Sequence, residues 1–81
     1  MEKRIIEIMK VVLREDDINS ESTQESLENW TSLRHLNLAS ELEDEFDIEL
    51  DPSDICKMKS VSQIAAVIKQ KLALWGKHPY L

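Results

Sequence analysis

Thr31-Ser32-Leu33-Arg34-His35-Leu36-Asn37-Leu38-Ala39-Ser40-Glu41-Leu42-Glu43-Asp44-Glu45-Phe46 is the stretch that decides the fold. Laid out at about 100° per residue from Leu33, it gathers Leu36, Leu38, Ala39, Leu42 and Phe46 on one broad arc, with Leu33 at its edge. Arg34, Asn37, Glu41, Asp44 and Glu45 fall on the other side, with Glu43 and Asp47 near the end. This is an amphipathic helix, and an apolar arc so wide suits a central element touching several others. Its start, Trp30-Thr31-Ser32-Leu33, sets a serine hydroxyl where backbone N–H groups lack intrahelical acceptors and the positive end of the macrodipole lies. Two readings of Ser32 follow: an ordinary N-cap, or the anchor of an esterified phosphate, which that end of a helix tolerates. His35 falls among the leucines, either as a packed histidine hydrogen-bonded to backbone or as a group lining the entrance to an apolar cleft near Ser32.

On the N-terminal side, Ile5, Ile8, Met9 and Val12 keep helical spacing with Ile6 and Leu13 on the flank, which predicts a first helix over roughly residues 2 to 14. The charges of Arg14 to Asp17 close it. From about Asp16 to Thr31 the apolar residues are scattered, and the stretch reads as a long loop pinned by Ile18, Leu27 and Trp30. On the C-terminal side, Asp51-Pro52-Ser53-Asp54 places an N-cap ahead of a proline at the first helical position, opening a third helix of one to two turns with Ile55 and Met58. Ser60-Val61-Ser62-Gln63 is a capping-box sequence, and Val61, Ile64, Ala65, Ile68, Leu72 and Trp75 then keep helical spacing. Gly76 supplies a stop, Pro79 forbids continuation, and residues 77–81 form a tail. The expected architecture is all-α: a small antiparallel four-helix bundle, its third helix short, with a long loop between the first two helices and one domain over residues 1–76.

Eighty-one residues leave no room for a second domain. The lone Cys56 cannot form an internal disulfide or complete a zinc site with His35 or His78, and on the third helix it reads as a small, half-buried filler. Charges interrupt the apolar residues from Met1 to Leu13, which argues against a signal peptide or membrane span and points to a cytoplasmic protein. A net charge of −6 disfavours nucleic acid and anionic membrane and favours partners with basic surfaces. There is no glycine-rich phosphate loop and no recognisable Ser, His and Asp set, so catalysis is not expected. Glu41, Glu43, Asp44, Glu45 and Asp47 lack the alternating ligand ladder and turn glycine of a calcium loop, so no metal is expected, and solvation is the plain account of that face.

These residues resemble the acyl carrier proteins and the related carrier domains of polyketide and nonribosomal peptide assembly. The family's motif is Asp-Ser-Leu opening a second helix that ends in acids followed by Phe. Thr31-Ser32-Leu33 and Glu43-Asp44-Glu45-Phe46 match it, and Ile48-Glu49-Leu50, Asp51-Pro52 and Ser60-Val61 fall in register. Trp30 to Leu38 looks like stand-alone bacterial carriers. The resemblance implies that Ser32 receives 4′-phosphopantetheine from coenzyme A through a separate phosphopantetheinyl transferase. An acyl or related group would then ride on the terminal thiol as a thioester, in fatty acid, polyketide or another specialised biosynthesis. Ser26-Leu27 is a rival pair, but it lies in the loop and at the wrong distance from Glu43 to Phe46.

Three positions depart from the pattern: Thr31 stands where the family has Asp, Arg34 is basic where fatty-acid carriers commonly have an acid, and Asn37 replaces another acid. Thr31 can still cap the helix. The expected partner face is Leu33, Arg34, Asn37, Glu41, Asp44 and Glu45, read by the transferase and by acyl-loading and acyl-processing enzymes with basic docking surfaces. The chain is expected to be a monomer. The alternative is a carrier-fold module, never pantetheinylated, that binds basic partners through its acidic second helix.

Overall fold

The computed structural model describes residues 1–75, the last two as backbone only. Four helices carry the chain: α1 (Glu2–Leu13), α2 (Ser32–Phe46), α3 (Pro52–Lys57) and α4 (Val61–Trp75). No strand occurs among the described residues; a single isolated bridge joins Thr23 to Ser60. The expected stop at Gly76 and the tail 77–81 lie outside the described residues.

α1 packs against α2 and α4, and α3 against α4. Ile5, Met9 and Leu13 of α1, Leu38 and Leu42 of α2, Met58, and Val61, Ile64 and Ile68 of α4 are fully buried in one core. Burying each such side chain stabilises by about 1.5–3 kcal/mol. The core leaves one edge of α2 outward. The long loop is pinned as its apolar residues predict, with Ile18 and Trp30 buried and Leu27 half-buried. Asn29 ties it to the end of α1, its Nδ2 donating to the Arg14 carbonyl at 3.2 Å. Loop and α3–α4 linker are joined by Gln24 N–H to Lys59 O at 2.8 Å and Val61 N–H to Ser22 O at 3.1 Å.

The chain's only glycine is Gly76, so α1 and α2 end on non-glycine residues in the left-handed region, Arg14 and Asp47, each at φ 53°. α3 opens as its sequence predicts: the Asp54 N–H donates to Asp51 Oδ1 at 2.8 Å and the Asp51 N–H to Asp54 Oδ2 at 3.1 Å, a complete capping box followed by Pro52. The cap of α4 differs from the expectation. Gln63 N–H donates to Ser60 Oγ at 3.1 Å as the capping box requires, but Gln63 Oε1 accepts from the Lys59 N–H at 3.1 Å in place of the Ser60 N–H, so only the Ser60 half of the box forms.

Two side-chain expectations are corrected. Cys56 is exposed rather than half-buried, since the short α3 turns Ile55 and Met58 inward and leaves Cys56 outside. Leu36, placed on the core arc of α2, is 58% exposed. An arc from Leu38 round to Leu33 spans about 220°, more than the stripe of a helix packed on one side can bury.

Candidate functional site

The start of α2 is built by Thr31. It holds the N-cap position with φ −82° and ψ 168°, and its Oγ1 accepts from the Arg34 N–H at 3.3 Å. Ser32 is therefore the first helical residue and not the cap. Its hydroxyl is exposed and forms no hydrogen bond among the described residues. The rival Ser26 is engaged: its Oγ accepts from Thr23 N–H and donates to Thr23 O, both at 3.0 Å.

The surroundings of Ser32 suit an anion. The first turn of α2 contains no acid, and Arg34 supplies a cation there. The positive end of the macrodipole adds to this. A phosphodiester on Ser32 would stand at the helix end in solvent, with no buried charge to compensate. Arg34 itself is half-buried, its guanidinium donating to the Asn29 carbonyl at 3.2 Å, so it braces the loop that delivers Ser32.

His35 fixes the other side of this end. Trp30 Nε1–H donates to His35 Nδ1 at 2.9 Å, and His35 Nε2 lies 2.8 Å from the Ile55 carbonyl. An indole N–H can only donate and a carbonyl can only accept, so the ring is the neutral Nε2–H tautomer. His35 is the packed, hydrogen-bonded histidine of the plainer reading. It joins the loop, α2 and α3 three residues from Ser32 in the chain.

Of the expected partner face, Leu33, Asn37, Glu41, Asp44 and Glu45 are exposed. They are not equivalent. Glu45 Oε1 accepts from Arg4 of α1 at 2.8 Å, which holds the Glu45 carboxyl below its ordinary 4.5 and raises Arg4. Glu43 is half-buried and its Oε2 accepts from Leu50 N–H at 2.9 Å, so it braces the α2–α3 connection. Glu41 and Asp44 have no cation partner among the described residues. The structure adds Leu36 and Ser40 to the face. At about 100° per residue, Ser32, Leu33, Leu36, Asn37, Ser40 and Asp44 share one arc of about 140°, and all six are exposed. Leu33, 69% exposed, and Leu36 form an apolar strip beside the serine. The over-wide apolar arc was the signal for it in the sequence.

The described residues thus form a four-helix fold with an exposed serine at the first position of its second helix. A family model described as a phosphopantetheine attachment site matches residues 3–68, and the chain belongs to that family. Among solved structures the chain is similar to the holo acyl carrier protein of Geobacter metallireducens, a solution NMR structure. The TM-score is 0.83 at 26% identity, over 95% of this chain and 91% of that one. No curated protein matches. The family consists of carriers, generally without catalytic activity, whose cofactor is covalently attached 4′-phosphopantetheine. No described helix is long and apolar enough to cross a membrane.

Proposed function

We propose that Ser32 is the attachment point of 4′-phosphopantetheine and that the chain carries an acyl or related group as a thioester on that arm. The observation that carries this reading is the division of labour at the start of α2: Thr31 caps the helix, so the Ser32 hydroxyl is unengaged, exposed and placed at the positive helix end. Ser32 needs no activation, because a separate phosphopantetheinyl transferase does the chemistry. The arm holds its cargo at high effective concentration for successive enzymes. The chain itself catalyses nothing and works as a cytoplasmic monomer in fatty acid, polyketide or another specialised biosynthesis. Leu33, Arg34, Leu36, Asn37, Glu41, Asp44 and Glu45 form the face that partners read.

The unmodified interaction module rested on Thr31 in place of an acid. Thr31 keeps the cap that the acid would form, which supports the attachment reading by leaving Ser32 presented at the helix start. Incubation with coenzyme A and a broad-specificity transferase should add one phosphopantetheinyl group by intact mass. Ser32→Ala should abolish the addition and Ser26→Ala should not. An unchanged mass with Ser32 intact would refute the attachment reading in favour of the module.

A further inference from the structure

Between α1 and α2 runs a half-open groove of about 270 Å³, lined by Arg4, Glu7, Ile8, Val11, Val12 and Glu41. Its floor is apolar. Val11 is 78% exposed, the largest exposure among the large hydrophobic residues described, and half-buried Val12 lies beside it. The rim is acidic. Arg4 already shares its charge between Glu7 at 3.3 Å and Glu45 at 2.8 Å, while the Glu41 carboxylate has no cation partner among the described residues. Carboxylates thus outnumber the one guanidinium around an unpartnered valine.

We propose that this groove is a second docking surface, which seats one apolar side chain of a partner protein's helix with lysine or arginine on the flanking turns. Its volume falls below the roughly 300–1,000 Å³ of small-molecule sites, so it fits a side chain better than a metabolite. Its rim charge and the chain's net charge of −6 oppose an anionic membrane and select a basic partner. Glu41 belongs both to the groove and to the border of the outer face of α2. One partner can therefore span both surfaces. The groove does not depend on modification of Ser32, and its test is independent of the attachment reading.

The probe is a designed amphipathic peptide helix with leucines at i, i+3, i+4 and i+7 and lysines elsewhere, titrated into the full ¹⁵N-labelled chain at low salt. Amide shifts should centre on Ile8, Val11, Val12 and Glu41. Val11→Ser, which removes the apolar contact without adding charge, should weaken binding by about tenfold, the loss expected when a seated valine-sized contact is removed. Because Val11 is exposed, its urea midpoint should stay unchanged. Glu41→Lys provides a second variant on the rim and should also weaken binding, while Ser32→Ala should leave it as it was. Equal affinity for wild type, Val11→Ser and Glu41→Lys would overturn the proposal. Shifts confined to Leu33, Leu36 and Asp44 would overturn it equally.

Discussion

Leu36 and Leu42 lie on the same helix and were indistinguishable by residue type, yet the structure separates them: Leu42 is fully buried and Leu36 is 58% exposed. Truncating each to alanine turns that difference into a measurement. Leu42→Ala removes a core side chain and leaves a cavity, at a cost of about 2–5 kcal/mol. A domain of this size has a total stability of about 4–12 kcal/mol, so that loss is a large part of the whole. For Leu36 less than half of the side chain's burial is at stake. With about 1.5–3 kcal/mol for full burial of a leucine, the expected cost is about 0.6–1.3 kcal/mol, and alanine's better helix propensity offsets a little of it. Urea denaturation followed by circular dichroism reads both variants, with an unchanged slope as the check that the two-state comparison holds. The same proteins, assayed for phosphopantetheine transfer, should reverse their order, with Leu36→Ala slowed and Leu42→Ala normal wherever it is folded. A Leu36→Ala cost above about 2 kcal/mol, as for a core leucine, would refute the placement of Leu36 on the outer face.

The remaining expectations concern polar contacts. Asp54 Oδ2 meets Lys71 Nζ at 2.7 Å, which holds the Asp54 carboxyl below its ordinary 3.8 and Lys71 above its ordinary 10.5. The pair's stabilisation is therefore present above about pH 4 and is lost as pH falls through the lowered carboxyl value; on the alkaline side it is fully present below 10.5 and is lost as pH rises from there through the raised lysine value. The stability difference between wild type and Asp54→Asn should be flat between those limits and shrink below pH 4; a difference that grows in acid would contradict the pairing. Trp30→Phe strands His35 Nδ1 and should cost about 1–3 kcal/mol; two-bond ¹⁵N–¹H spectra of the wild type should show the Nε2–H tautomer, and an Nδ1–H pattern would exclude the bridge. Reversing Glu41 and Asp44 together to Lys should slow loading by a basic partner without unfolding the carrier, by a factor that shrinks with salt. Equal rates at low salt would show that these acids are only solvated.

Most of the fold was legible because its signals are local. The 3.6-residue spacing of Ile5, Ile8 and Met9, the Asp51-Pro52 start and the Ser60 cap each depend on residues within one or two turns, and each stands where expected. The serine was legible as a position but not as a free hydroxyl, since Thr31 and Ser32 are both good caps and only the backbone shows which one holds the end. What the sequence withheld is tertiary. Lys71 looks like any surface lysine until α4 carries it to Asp54, and Glu43 and Glu45 read as members of one acidic face until Leu50 and Arg4 claim them. Leu36 was illegible for a different reason: the sequence shows the width of the apolar arc, but only the packing of the other helices decides how much of it is covered.

That division among the acids changes what a partner of the proposed carrier must offer. Glu43 braces the chain entering α3, Glu45 holds α1, and Asp47 ends the helix, which leaves Glu41 and Asp44 as the unpaired carboxylates of α2. With a rise of about 1.5 Å per residue they lie about 14 and 18 Å along the axis from Ser32. The two turns nearest the serine instead present Leu33, Leu36, Asn37 and Ser40, with Arg34 tucked against the loop. A cognate enzyme must therefore meet the serine end with an apolar or neutral rim at its tunnel mouth and keep its basic groups two to three helical turns away. On the proposed function, the distant carboxylates would steer encounter and so govern association rate, whereas the leucines beside the serine would be desolvated on contact and govern residence. An enzyme built for carriers with acids beside the serine would bring a cation against Leu33 and Arg34, losing its pairing and meeting like charge. A carrier that docks through this face would discriminate by what its serine end lacks as much as by what its acids attract.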